Sequence, residues 1–345
     1  PQGIVTAGLL AYIAVAKFVD ALPFYRQEQQ FMRLGLDISR GTLANWMLLV
    51  ARACARLFEL LWEEILAGPI INMDETKVQV MKEPGRANTA KSYMWVCRGG
   101  PPEKPGVTFT YEPSRAGSVP AKLLNHFSGY LQTDGYIGYK EISKRPDITH
   151  VGCWAHVRRK FVEVTKGTKG TRKSGVAQEI LDLIREMYGI EKECSALSPE
   201  ERKRRRQKDA KPLLEKIKEI LDERRVTTPP KSLLGKAINY ALNQWPRLLV
   251  YIEDGNLKPD NNLAENAIRP FAVGRKNWLF SGSPRGAKAS AILYSLIETA
   301  KANNFEPYAY LKFLFTEIPK AQSDDDLRKL LPQLLNRETL MRITE

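Results

Sequence analysis

The hydrophobic period of this chain changes twice. From Gly8 to Leu66 apolar residues recur at helical spacing, broken at Pro23 and at the 35–39 turn, with no strand-like alternation. From Ile70 the apolar positions alternate; from about Lys160 the spacing is helical again. A sheet framed by helices accommodates such a pattern, whereas an all-β fold or a repeat array does not. The pattern predicts strands over 70–81, 92–98 and 107–111, a helix over 119–127, a fourth strand over 129–134, a short helix, and a fifth strand over 148–153.

Three sequential strands, a helix, a strand, a helix and a further strand follow the order of a ribonuclease H-like mixed sheet. The expected fold class is therefore α/β, with an N-terminal all-helical module, a helical insertion and a helical C-terminal tail. The expected partition is a helical module over 1–68, the sheet core over 69–159 and 257–305, the insertion over 160–256 and the tail over 306–345. A long helix is expected over 285–303, after a stretch interrupted by Pro270 and Gly274.

Charge narrows the partner. Fifty-three Lys and Arg against 39 Asp and Glu leave a formal +14 in 345 residues, which points to a polyanion. The run Arg202-Lys-Arg-Arg-Arg206 reads as an exposed helix face unless it lies beside an active site. Cys54, Cys97, Cys153 and Cys194 are scattered without CxxC pairing, so neither a disulfide framework nor a four-thiolate zinc site is expected, and a cytoplasmic setting fits. The most apolar stretch, 8–15, falls far short of a membrane span. The chain opens on Pro1 rather than Met, as a fragment of a longer protein would.

In the helical module, Phe31-Met-Arg-Leu-Gly-Leu-Asp-Ile-Ser39 followed by Arg40-Gly-Thr-Leu-Ala-Asn-Trp46 has the shape of a helix-turn-helix with Ser39 as N-cap. Its second helix would offer Arg40, Thr42 and Asn45 to DNA, with Leu43 and Trp46 facing inward. Two core-packing helices would give the same pattern.

Three carboxylates stand out. Asp74 lies mid-strand in Ile70-Ile-Asn-Met-Asp-Glu-Thr76, where a buried charge needs a partner or a cation. Asp134 follows an apolar strand and precedes Gly135 at a sharp turn. Glu265 stands three residues after Asn262, a capping-box spacing, on a short helix whose inward face is Ala264, Ile268 and Phe271. In a ribonuclease H-like sheet the first and fourth strands are neighbours, so Asp74 and Asp134 would converge. Carboxylates gathered together repel, and hard divalent cations relieve them. With the basic charge, this suggests phosphoryl transfer on nucleic acid.

Seven blocks in order carry a resemblance. They are Lys17-Phe-Val-Asp-Ala-Leu-Pro-Phe-Tyr-Arg26, Met73-Asp-Glu-Thr76, Thr133-Asp-Gly-Tyr-Ile-Gly-Tyr139, Cys153-Trp-Ala-His-Val-Arg-Arg159, Asn261-Asn-Leu-Ala-Glu-Asn-Ala-Ile-Arg-Pro270, Gly274-Arg-Lys-Asn-Trp-Leu-Phe-Ser-Gly282 and Ser295-Leu-Ile-Glu-Thr-Ala300. Over residues 5–320 the chain resembles the DDE transposases of the bacterial insertion-sequence family numbered sixty-six. The resemblance implies a ribonuclease H-like catalytic domain, interrupted by a helical insertion, that cuts transposon ends and joins their 3′-hydroxyls to target DNA. It assigns Asp74, Asp134 and Glu265 as catalytic and metal-binding, with Mg2+ as cofactor and Mn2+ as a substitute.

The Cys153–Arg159 block matches the family without a defined part there; His156 is a candidate contact to the scissile phosphate or a metal-bound water, while Cys153 and Trp154 are expected to pack. Arg158, Arg159, Arg269, Arg275 and Lys276 are the basic residues expected nearest the DNA, and Tyr136, Tyr139 and Trp278 belong to the core unless bases stack on them. The expected partners are transposon-end and target DNA, a second copy of the chain on that DNA, and accessory proteins of the same element, without a membrane and with a nucleoid location. Family members ordinarily carry a coiled-coil-like stretch and a cysteine cluster ahead of this region, and neither is in this sequence. The alternatives are a catalytically silent DNA-binding regulator derived from a transposase and a ribonuclease H-like nuclease that hydrolyses without joining.

Overall fold

The structure is a computed structural model that describes residues 5–167 and 173–336. Four helices come first: α1 (Ala7–Phe18), α2 (Phe24–Arg33), α3 (Arg40–Ala53) and α4 (Ala55–Leu66). On α4, Leu57, Leu60, Leu61 and Ile65 are fully buried, the i, i+3, i+4, i+8 stripe that an amphipathic helix turns toward a core. Strands β1 (Ile70–Gln79), β2 (Lys91–Gly99) and β3 (Gly106–Glu112) form an antiparallel meander with Asp74 opposite Val96 and Val96 opposite Phe109. The next helix, α5 (Ser118–Leu123), ends four residues before its expected limit: Leu124 and Phe127 are buried from a turn, and Gly129 then takes φ 134°.

The chain continues through β4 (Gly129–Gln132), two short 3-10 turns, and β5 (Ile148–Val151). Helices α6 (Trp154–Gly167), α7 (Lys173–Glu193), α8 (Pro199–Arg205), α9 (Lys211–Thr227) and α10 (Leu233–Leu249) follow. The last elements are α11 (Asn262–Trp278), α12 (Pro284–Ala302), α13 (Pro307–Glu317) and α14 (Asp324–Arg328). The fold is mixed α/β, with one five-stranded sheet ordered β3-β2-β1-β4-β5. Contacts divide the chain into two compact units, Pro1–Gly129 with Leu263–Glu345, and Tyr130–Asn262.

In the first unit, an aromatic cluster joins α1, β3, α11 and α12. Tyr294 lies 5.1 Å from Phe18, 5.5 Å from Phe109 and 5.2 Å from Phe271, and Phe271 meets Trp278 edge-on at 5.3 Å. Ala264, Ile268 and Phe271 are all buried, as the inward face of α11 requires. The outer backbone edge of β3 is covered by hydroxyls of α12: Phe109 N–H donates to Ser295 Oγ at 2.7 Å, and Val107 N–H to Thr299 Oγ1 at 3.0 Å. An edge strand left open invites pairing with another chain, so these two side chains of the Ser295–Ala300 motif close it.

Two expectations about α11 need correction. Asn262 is the first residue of the helix rather than its cap, and its N–H donates to Asp260 Oδ1 at 3.1 Å, so Asp260 takes the turn-closing role. Neither Gly274 nor Pro270 interrupts α11, which runs through both. The proline ring removes one backbone donor, and the burial of Ala267, Ile268 and Phe271 around it holds the helix together.

In the second unit, the run 202–206 is more than an exposed face. Lys203, Arg204 and Arg205 are exposed, but Arg206 is completely buried. Its guanidinium grips both carboxylate oxygens of Glu191 at 2.7 Å and donates to the carbonyls of Tyr251, Asp254 and Leu257 at 2.9, 2.7 and 2.8 Å. All five guanidinium N–H groups are used. Arg202 similarly donates to Gly255 O at 2.6 Å. The run therefore ties α8 and its π-helical continuation, Arg206–Ala210, to residues 251–257. All four cysteines are buried and no disulfide joins them among the described residues, and no described helix is long and apolar enough to cross a membrane.

Candidate nucleic-acid site

Asp74 sits in the middle of β1, after the buried Met73, and is half-buried. Its Oδ1 accepts from Glu75 N–H at 2.8 Å, which fixes the carboxylate close to the strand. Successive strand residues face opposite ways, and Glu75, whose side chain is 1% exposed, is gripped by Arg115. Two adjacent carboxylates thus have different fates, one bound by an arginine and the other pointing elsewhere. Glu265 is half-buried in the first turn of α11, where the positive end of the helix dipole favours a negative charge.

Thr76, two residues beyond Asp74, accepts from Arg275 Nη1 at 3.0 Å, and the same guanidinium donates to Lys77 O. Burial lowers Arg275 from the ordinary arginine range. Arg275 thereby clips the end of α11 to β1, while Arg269 and Lys276 on the same helix are exposed. Trp278 is half-buried against Phe271, as the core reading expects.

Around the helix-turn-helix segment, Gly35 takes φ 79° in the turn and Ser39 caps α3, its Oγ accepting from Thr42 N–H at 3.1 Å. Arg40, Thr42 and Asn45 are exposed and Leu43 is buried, as expected from the sequence, whereas Trp46, expected to face inward as well, is only half-buried. Thr42 Oγ1 is engaged with Ser39 Oγ at 3.0 Å, and Glu28 accepts from Arg40 N–H at 2.7 Å. The first turn of α3 therefore already carries an acidic partner.

In the second unit, Asp134 is half-buried two residues beyond the end of β4. Its Oδ1 accepts from Tyr136 N–H at 2.9 Å, an Asx turn that holds the carboxylate. A side chain at Gly135 would put Cβ 2.6 Å from the hydroxyl of Tyr240, so any larger residue has to displace that ring. Tyr240 is pushed up to about 12 by burial and then by the nearby Asp134 charge. Behind the turn, the ring nitrogens of His150 lie 2.8 Å from Thr133 Oγ1 and 2.6 Å from Ser143 Oγ. Burial, with Arg247 adding to it, pushes His150 down to about 3, so the ring is neutral, with one nitrogen donating and the other accepting. Tyr139 is fully buried and belongs to the core.

The Cys153–Arg159 block divides as expected for its packing members. Trp154 is fully buried, donates from Nε1 to Leu248 O at 3.0 Å and meets Trp245 edge-on at 5.7 Å. Cys153 Sγ accepts from Asn261 N–H at 3.3 Å. His156 is half-buried on α6, and Arg158 and Arg159 are exposed. These two arginines line a cleft of about 710 Å³ with Arg185, Tyr188 and Asp260. Tyr188 donates to Asp260 at 3.0 Å, and burial followed by the Asp260 charge pushes its hydroxyl far up. Arg185 and Tyr188, one turn apart on α7, were invisible as site residues because only the packing of α7 on α6 brings them to the arginines.

The family described as "Transposase IS66 family" matches residues 2–289, and "IS66 C-terminal element" matches residues 295–333. The chain belongs to the IS66 transposase family. Three relatives in Sinorhizobium fredii (strain NBRC 101917 / NGR234) are similar. Uncharacterized protein y4jD is 34% identical, covering 96% of this chain and 66% of the relative. Uncharacterized protein y4qI is 32% identical over 96% and 63%, and uncharacterized protein y4hP is 32% identical over 92% and 60%. This chain thus spans somewhat under two thirds of the length of these relatives. Family membership supports a transposase role, and Asp74, Asp134 and Glu265 all fall inside the matched span.

Proposed function

We propose that this chain is the catalytic core of a DNA transposase that cuts transposon ends and joins their 3′-hydroxyls to target DNA, with Asp74, Asp134 and Glu265 as its carboxylate triad. The observation that carries the reading is the family match over residues 2–289, which encloses three half-buried acidic residues on β1, after β4 and on α11. A meander of three strands followed by a helix and two further strands, in sheet order β3-β2-β1-β4-β5, supports the ribonuclease H-like part of this reading.

DDE transposases generally use a divalent metal, and a donor set made only of carboxylate oxygens suits a hard cation, here Mg2+ with Mn2+ as a substitute. Such ions activate water or a 3′-hydroxyl and stabilise the leaving oxygen at a phosphodiester. The chain's own groups prepare for this. Glu75 N–H and Tyr136 N–H hold the carboxylates of Asp74 and Asp134 in fixed rotamers, so little reorganisation is needed at reaction. Arg158, Arg159, Arg269 and Lys276, all exposed, supply phosphate contacts, with His156 beside Arg158 and Arg159 on α6. Arg40, Thr42 and Asn45 on α3 form a second DNA contact, and the active species is a homo-oligomer assembled on DNA with accessory proteins of the same element.

Asp74→Asn is expected to abolish Mg2+-dependent cleavage and joining of DNA bearing the element's ends while leaving DNA binding nearly unchanged. Strand transfer at the wild-type rate by that variant would remove the assigned role. Arg40→Ala with Asn45→Ala should weaken DNA retention in a folded chain; unchanged retention would return α3 to a packing role.

A further inference from the structure

Near its end the Gly274–Gly282 motif carries two neighbouring residues, Leu279 and Phe280, that the core does not use. Just past α11, Leu279 takes φ 65°, in the left-handed region where a branched residue is strained. The residue is 64% exposed, and Phe280 beside it is 47% exposed. Neither residue is loosely held. Leu279 N–H donates to Arg275 O at 2.9 Å, Ser281 N–H to Gln79 O at 2.9 Å and Met81 N–H to Ser281 O at 2.9 Å, so Ser281 bridges Val80 in parallel beside the end of β1. A hydrogen-bonded pedestal thus presents an aliphatic and an aromatic side chain to water.

Leu279 also lines a cleft of about 510 Å³ that contains Lys77, Lys91, Arg115, Arg275 and Glu75. Four cations face one carboxylate, and that carboxylate is already held by Arg115. Lys77 and Lys91 are exposed and form no ion pair among the described residues. A ligand suited to this surface carries several negative charges at one place and a flat apolar face beside them. A nucleic-acid strand has both features. Two side chains offer far too little area for a stable protein partner.

We propose that Leu279 and Phe280 form a stacking wedge for an unpaired base of a DNA strand whose phosphates lie along Lys77, Lys91, Arg115 and Arg275. Naming DNA as the ligand rests on the transposase reading. The wedge itself needs neither metal nor the carboxylate triad, so its failure is separable from theirs.

The test is fluorescence anisotropy in EDTA with the full chain and two labelled strands of equal length, about twenty nucleotides: oligo-dT and a fully abasic sugar-phosphate chain. The wild type is expected to bind oligo-dT on the order of tenfold more tightly. Phe280→Ala should bring oligo-dT down to the abasic value, and Phe280→Trp should retain the preference. Lys77→Gln with Lys91→Gln should weaken both strands alike and flatten their salt dependence. Equal wild-type affinity for the two strands would overturn the proposal. So would a Phe280→Ala variant that keeps its preference, or one that weakens both strands equally. Should Phe280→Ala fail to fold, the wild-type ratio and Phe280→Trp decide the matter.

Discussion

Replacing Arg206 by Met removes five hydrogen bonds at a stroke. The side chain is fully buried, and its partner Glu191 is only 12% exposed. The substitution strands that carboxylate and leaves the carbonyls of Tyr251, Asp254 and Leu257 without their donor. Breaking one side of a buried ion pair costs about 3–5 kcal/mol, because the charge left behind has lost both water and partner. The methionine recovers some packing but none of the donors. At roughly 2–4 °C per kcal/mol for a unit of this size, the thermal midpoint of the second unit should fall by on the order of 10 °C. Urea unfolding with hydrogen exchange at residues 250–257 reads this directly. Arg206→Met combined with Glu191→Leu should recover most of the loss, because an apolar pair of similar volume no longer buries a lone charge. A loss below about 1 kcal/mol in the single variant would refute the claim that the basic run is anchored by Arg206.

Burial lowers the Lys17 ammonium to about 8, so between pH 8 and about 10.5 the unfolded chain binds a proton that the folded chain has released, and stability rises with pH there. The thermal midpoint of the wild type should therefore climb relative to Lys17→Met across that window, and parallel curves would contradict it. Gly135→Ala forces Cβ against Tyr240 and should cost about 1–3 kcal/mol while displacing the turn that carries Asp134, with cleavage falling more than DNA binding; a fully active, equally stable variant would contradict the close approach. Ser295→Ala and Thr299→Val each orphan a backbone N–H of β3 and should cost about 1–3 kcal/mol, with faster amide exchange at Phe109 and Val107 respectively; unchanged exchange would show the edge to be satisfied otherwise.

What the sequence made legible is what short-range patterns encode. The three meander strands fall within one or two residues of their expected limits because alternation sets them. Ser39 caps α3 because a hydroxyl one residue before a helical run is a local signal. The inward face of α11 was readable from spacing alone. The rest depends on distant partners. Nothing in 202–206 distinguishes Arg206 from its neighbours, since the carbonyls it binds lie 45–51 residues away. Pro270 looks like a helix breaker until the packing around it is known. His150 behind the Asp134 turn, Arg185 and Tyr188 beside the α6 arginines, and Lys77 and Lys91 beside Leu279 carry no motif. The left-handed backbone at Leu279 has no sequence signature, because glycine, the usual marker, is missing there.

The most direct test is Mn2+ anomalous diffraction from crystals of this chain bound to DNA carrying the element's ends. Anomalous peaks ligated by oxygens of Asp74, Asp134 and Glu265 together are the expected result. Manganese bound without these three carboxylates, or Glu265 turned away while the other two bind, would contradict the triad.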